Sequence, residues 1–145
     1  MTATRSTRAD RRQAPSAVEL RVAADPRQLP IVRALAANIA VRQDFDLDSV
    51  SDLKLVVDEA CSMLISKAAE GTTMIVRFRV RENRIQLSAM VVSDEGEFPG
   101  NRSFGWHVLT TLADATATSE PHRTGTDGDR HRLLIELVTP REVAG

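Results

Sequence analysis

The sequence predicts an α+β fold, a two-layer sandwich in which a mixed, mostly antiparallel sheet is covered on one face by helices. Three observations point there. Two runs, Met74-Val76-Phe78-Val80 and Ile85-Leu87-Ala89-Val91, alternate with polar or small residues back to back; two amphipathic helical stretches precede them; and strands do not alternate strictly with crossover helices. With 145 residues and 42% apolar content, the chain suits a single core and a single domain, placed at residues 17–140.

The elements follow in order. Val18, Leu20 and Val22 alternate with polar or small neighbours and predict a first strand with one buried face. Asp25-Pro26 is a helix start, an N-cap with proline at the first helical position, and Leu29, Ile31, Val32, Leu35, Ile39 and Val41 form an apolar stripe through a helix ending near Arg42. Pro30 fits only the first turn. Asp48 is the expected cap of a second helix over residues 48–69, with Val50, Leu53, Val57, Ala60 and Leu64 at spacings of three and four and Gly71 closing it. Glu82-Asn83 joins the two alternating runs as a hairpin. Residues 93–102 then predict a loop, Ser103 caps a short helix over residues 103–113, and strands are expected at residues 115–119 and 132–138 with a hydrophilic loop at 120–129.

Composition narrows the function classes. A formal net charge of -1 does not favour direct nucleic-acid binding. Residues 1–16 are the exception, a basic tail with Arg5, Arg8, Arg11 and Arg12 against Asp10, which leaves the remainder acidic. This tail has too few apolar residues to offset its own ordering entropy, so it is expected to be disordered and carries no assigned function. Residues 141–145 form a short C-terminal tail.

The single cysteine, Cys61, has no partner for an internal disulfide and falls near its helix's apolar stripe, as a buried inert thiol would. His107, His122 and His131 lack metal-ligand spacing and are expected at the surface or in packing, and Trp106 in the core. No apolar run is long enough to span a bilayer, and the N-terminus lacks the apolar centre of a signal peptide. A soluble, cytoplasmic protein with no membrane partner is expected.

The chemistry-bearing residues centre on the second helix. Glu59 stands four residues before Met63, so the two project in the same direction, on the face expected to lie opposite the apolar stripe; taken alone, Met63 reads as a core or groove filler. The run Asp52-Leu53-Lys54-Leu55-Val56-Val57-Asp58-Glu59-Ala60, the pair Asp94 and Gly96, Ser103-Phe104-Gly105, and Gly128-Asp129-Arg130-His131-Arg132-Leu133 together resemble the RsbW/SpoIIAB family of bacterial anti-sigma factors. These are serine kinases of the GHKL superfamily, with the Bergerat or histidine-kinase-like ATPase fold. The resemblance extends over about residues 18–138.

It implies roles residue by residue. Glu59 matches the family's catalytic base, but Met63 stands where an asparagine binds Mg²⁺, and a thioether is a soft ligand that a hard ion does not choose. Asp94 matches the adenine-binding aspartate and Gly96 the first glycine after it, whereas Phe98 occupies the second glycine's place. Eight residues separate Gly96 from Gly105, too few for the family's lid over the phosphates. Gly105 resembles the last glycine of the phosphate-binding helix start, with Ser103 in place of an earlier one. Gly128 opens the final motif, in which Asp129 replaces a threonine and brings negative charge towards phosphates, with Arg130 beside it to compensate.

Losing both the metal ligand and the positioning of phosphates removes most of what phosphoryl transfer needs. The resemblance with these departures implies weak ATP binding, poor Mg²⁺ binding and Glu59 as a vestigial base. Arg33 matches an arginine of the family's first helix where sigma factor and its competitor both bind. The implied function is an anti-sigma factor that withholds an alternative sigma factor from core RNA polymerase. It would be a homodimer packed through the first strand and helix, released by a STAS-type anti-anti-sigma protein. The enzyme alternative is an active ATP-dependent serine kinase phosphorylating that protein; a stand-alone nucleotide-sensing or scaffold domain is a third class.

Overall fold

The computed structural model describes residues 16–82, 84–98, 103–122 and 130–140. The elements run β1 (Ser16–Ala23), α1 (Leu29–Arg42), α2 (Leu47–Lys67), β2 (Thr73–Arg81), β3 (Arg84–Ser93), α3 (Phe104–Leu112), β4 (Asp114–His122) and β5 (Arg130–Pro140). The five strands form one sheet in the order β1-β2-β3-β5-β4. All four pairings are antiparallel, so the mixed component expected from sequence is absent among the described strands. The expected layers are otherwise present. Strand β5 lies between β3 and β4, so the segment from β3 through α3 to β4 is a crossover that leaves a gap for the last strand.

Alternation decides which face is dry. Along β3, Ile85, Leu87, Ala89, Val91 and Ser93 are buried, and along β5 Leu133, Ile135 and Leu137 are buried, each with more exposed residues between. The register stacks these into rows, Phe78 beside Leu87 beside Leu137, and Val76 beside Ala89 beside Ile135. Helix α2 covers the rows with Leu53, Val56, Val57, Ala60, Cys61, Met63 and Leu64, and α1 adds Val32, Ala36, Ile39 and Ala40. Among the described residues no helix is long and apolar enough to cross a membrane.

Several boundaries differ from expectation. Asp25 caps a single 3-10 turn, Pro26–Gln28, which leads into α1. Asp46, not Asp48, caps α2: its Oδ1 accepts the Ser49 N–H at 2.7 Å from an extended backbone. Phe45, buried at the position before the cap, and Val50 in the first turn join the core on either side of it, the arrangement of a hydrophobic staple. The helix ends at Lys67 with Ala68 as its C-cap, and Gly71, at φ 76°, turns the chain into β2 instead of closing the helix. Strand β4 runs from Asp114 to His122, longer than the five residues expected and into the predicted loop, and β5 extends beyond residues 132–138 at both ends. The N-terminal tail through residue 15, residues 141–145, residues 99–102 of the loop expected at 93–102, Gly128 and Asp129 lie outside the described residues.

The Asp46 cap has a testable pH dependence. Its hydrogen bonds to Ser49, backbone first, hold its carboxyl below the ordinary carboxylate range. A depressed carboxylate contributes stability above its unfolded pKa and loses it as pH falls through the folded value. Asp46→Ala is therefore expected to lower the thermal midpoint at neutral pH, and the gap to the unmodified chain should shrink on acidification below the carboxylate range, as read by circular dichroism melts.

Candidate functional site

The candidate site lies where the end of β3, the start of β5 and the first turn of α3 meet the middle of α2. Ser93 ends β3 with its side chain buried, and its Oγ accepts the Glu95 N–H at 3.0 Å, which helps turn the chain out of the sheet. Asp94 follows with its side chain 66% exposed, and its Oδ1 lies 3.2 Å from Arg130 Nε. The register pairs Ser93 with His131, which brings the start of β5 beside this turn.

Gly96 sits against the His131 ring. A Cβ built on Gly96 would lie 2.9 Å from both Cε1 and Nδ1 of the imidazole and 3.1 Å from Nε2. Its φ is outside the left-handed region, so space and not backbone conformation excludes a side chain there. Phe98 packs against the core, consistent with its size but not with the glycine that the family places there.

Ser103 caps α3 as expected, its Oγ accepting the Trp106 N–H at 3.1 Å. This cap orients the first turn so that Gly105 lies on α2: a Cβ there would be 3.0 Å from Glu59 Oε2 and 3.3 Å from Met63 Sδ. Glu59 is half-buried. Met63 is only 8% exposed and belongs to the core, which agrees with its reading as a core filler and corrects its expected place opposite the apolar stripe. The stripe is wider than a one-neighbour pattern suggests because α2 packs against α1, α3 and the sheet together.

The structure thus gathers Glu59, Met63 and Gly105 at one contact and Asp94, Gly96, Arg130 and His131 at another. Arg130 meets Asp94, an engagement that sequence reasoning missed. His131 was expected only as a surface or packing residue; its role over Gly96 depends on the β3–β5 register. The donor set does not fit a magnesium–triphosphate. Met63 offers a soft thioether where a hard magnesium ion needs an oxygen donor, and a Cβ on Gly105 would stand only 3.0 Å from Glu59 Oε2.

Arg33, on α1, meets α2 at a different face. Its Nε is 3.2 Å from Asp58 Oδ1, and neither atom has a well-angled hydrogen bond, so the contact is an ion pair between α1 and α2. The Arg33 side chain is 43% exposed.

Residues 22–127 match the family model described as a histidine kinase-like ATPase domain. Over 102 residues the chain is 39% identical to the protein named anti-sigma-F factor RsbW of Mycobacterium tuberculosis, covering 70% of this chain and 61% of that protein. It is 31% identical over 83 residues to the serine-protein kinase RsbW of Bacillus subtilis, covering 55% of this chain and 50% of that protein. The corresponding kinase of Halalkalibacterium halodurans is 32% identical over 84 residues, again 50% of its length. The chain therefore spans between half and about three fifths of the curated relatives it matches.

Cys61 lies inside α2, fully buried, and burial, aided by the nearby Asp58 charge, pushes its thiol up to about 12. The thiolate is the reactive species, so the native protein should leave Cys61 unmodified by a thiol reagent at neutral pH. Denaturant should release one reactive thiol; rapid labelling of the folded chain would contradict the packing.

Proposed function

This chain belongs to the histidine kinase-like ATPase domain family, and from that premise we propose that it is an anti-sigma factor of the RsbW type, which withholds an alternative sigma factor from core RNA polymerase. The observation that carries the proposal is the outer face of α1. Ile31 and Val41 are 52% and 60% exposed there, and Arg33 stands at its α2 margin, anchored by Asp58. Uncovered aliphatic side chains on α1, and a guanidinium at its margin held by Asp58, suit a protein partner that brings apolar side chains and a carboxylate to separate points along the helix. The 39% identity to an anti-sigma-F factor supports the same class of partner.

On this reading a STAS-type anti-anti-sigma protein releases the sigma factor by competing for the same face, in the cytoplasm where the polymerase works. Two copies pair through β1 and the end of α1. Strand β1 is an edge strand with Val18 41% exposed, beside a hollow of about 250 Å³ lined by Val18, Ile39, Arg42, Phe78 and Val80 among others. Sedimentation should then give twice the monomer mass. A Val18→Glu variant should give the monomer.

The serine-kinase reading is supported by the half-buried Glu59, which the resemblance equates with the family's catalytic base, and by relatives named serine-protein kinases. The crowded contact of Gly105 with Glu59 and Met63 favours binding without phosphoryl transfer.

Co-purification of the full chain with each alternative sigma factor of its host is expected to recover one of them. Arg33→Ala should weaken that complex at least tenfold, and Arg33→Lys should fall between, because lysine keeps the charge without the planar fork. Failure with every sigma factor would remove the proposal. Transfer of phosphate from Mg-ATP to the cognate STAS protein, abolished by Glu59→Gln, would establish the kinase reading instead.

A further inference from the structure

Two glycines stand at nucleotide-motif positions although neither needs glycine for its backbone. Gly96 and Gly105 both have φ outside the left-handed region. What each lacks is room for a Cβ, and the obstructing atoms belong to this chain: His131 at Gly96, Glu59 and Met63 at Gly105. At Gly96 the distances to three consecutive ring atoms are nearly equal, 2.9, 2.9 and 3.1 Å. An edge-on ring would bring Cε1 markedly closer than the two nitrogens. The imidazole therefore lies face-on over the glycine, as a stacked flat ring does. On the same turn, Arg130 engages the Asp94 carboxylate at 3.2 Å.

We propose that His131 and Arg130 form an internal stand-in for a nucleotide base: the imidazole fills the niche on Gly96, and the guanidinium takes the carboxylate that a base would need. The site is filled by the start of β5 itself. A planar heterocycle entering it has to displace an aromatic ring already in van der Waals contact and break an ion pair, and gains only equivalent contacts in return. Gly96 is thus kept for a side chain, not for a ligand. This inference concerns the pocket alone and does not rest on any sigma partner.

A double-mutant cycle tests it on the full chain. Gly96→Ala should lower the thermal midpoint by about 4 °C when His131 is present, and by less than a quarter of that loss in the His131→Ala background. Equal losses in both backgrounds would overturn the proposal, because the cost would then lie in the backbone. A second measurement uses adenosine, without phosphate or metal, followed through the Gly96 amide resonance. The unmodified chain should show no saturable shift up to the solubility limit, whereas His131→Ala should show one. The same response in both, whether binding or silence, would sink the stand-in. Neither measurement involves a sigma factor, so its failure is distinct from failure of the anti-sigma reading.

Discussion

The burial of α2 on three sides organises the molecule. Leu53, Val56, Val57, Ala60, Cys61, Met63 and Leu64 bury a wide face of it against α1, α3 and the inward rows of the sheet, while Asp48, Ser51, Asp52 and Lys54 lie on the exposed side. At the edges of that face consecutive residues point about 100° apart. Asp58 emerges towards α1, where it meets Arg33; Glu59 emerges towards α3, where it meets Gly105. The proposed partner-binding ledge and the residues that resemble a nucleotide site are therefore two margins of one packed helix. Any shift of α2 would disturb both.

The legible parts of the fold were those coded by short periods. The alternation of 74–80 and 85–91 placed the hairpin, and Ser103 placed the start of α3, because both depend on residues within a few positions. The cap of α2 was placed two residues late. Asp46 and Asp48 are equally good by type, and what separates them is Phe45 and Val50 packing around the first. That signal was present in the sequence as an apolar residue before the cap and another in the first turn. Met63 was misplaced because a single stripe assumes a single neighbour, and α2 has three.

The candidate site was legible by residue type and illegible by contact. Glu59, Asp94, Gly96 and Gly105 were all picked out, but what touches them comes from elsewhere in the chain. Asp94 meets Arg130 and Gly96 meets His131 only because β5 inserts beside β3 with Ser93 opposite His131. Those partners are separated by about 35 residues of chain, and no local pattern encodes the register between strands that do not follow one another. Gly128, named for the same motif, lies outside the described residues.

A filled pocket alters how a binding protein of this architecture can be controlled. A ligand shifts a conformational equilibrium only by its difference in affinity for the two states. Where the base niche is closed by the chain's own imidazole and the first turn of α3 rests on Glu59, a nucleotide has little differential free energy to contribute. On the proposed anti-sigma reading, control would act at the other margin of α2, through what binds α1 around Arg33, and two partners competing for that guanidinium would exclude one another according to their concentrations and relative affinities. Such a switch needs no moving part within the domain. It needs only that the α1–α2 ledge stay rigid, which the Arg33–Asp58 pair and the buried face of α2 supply.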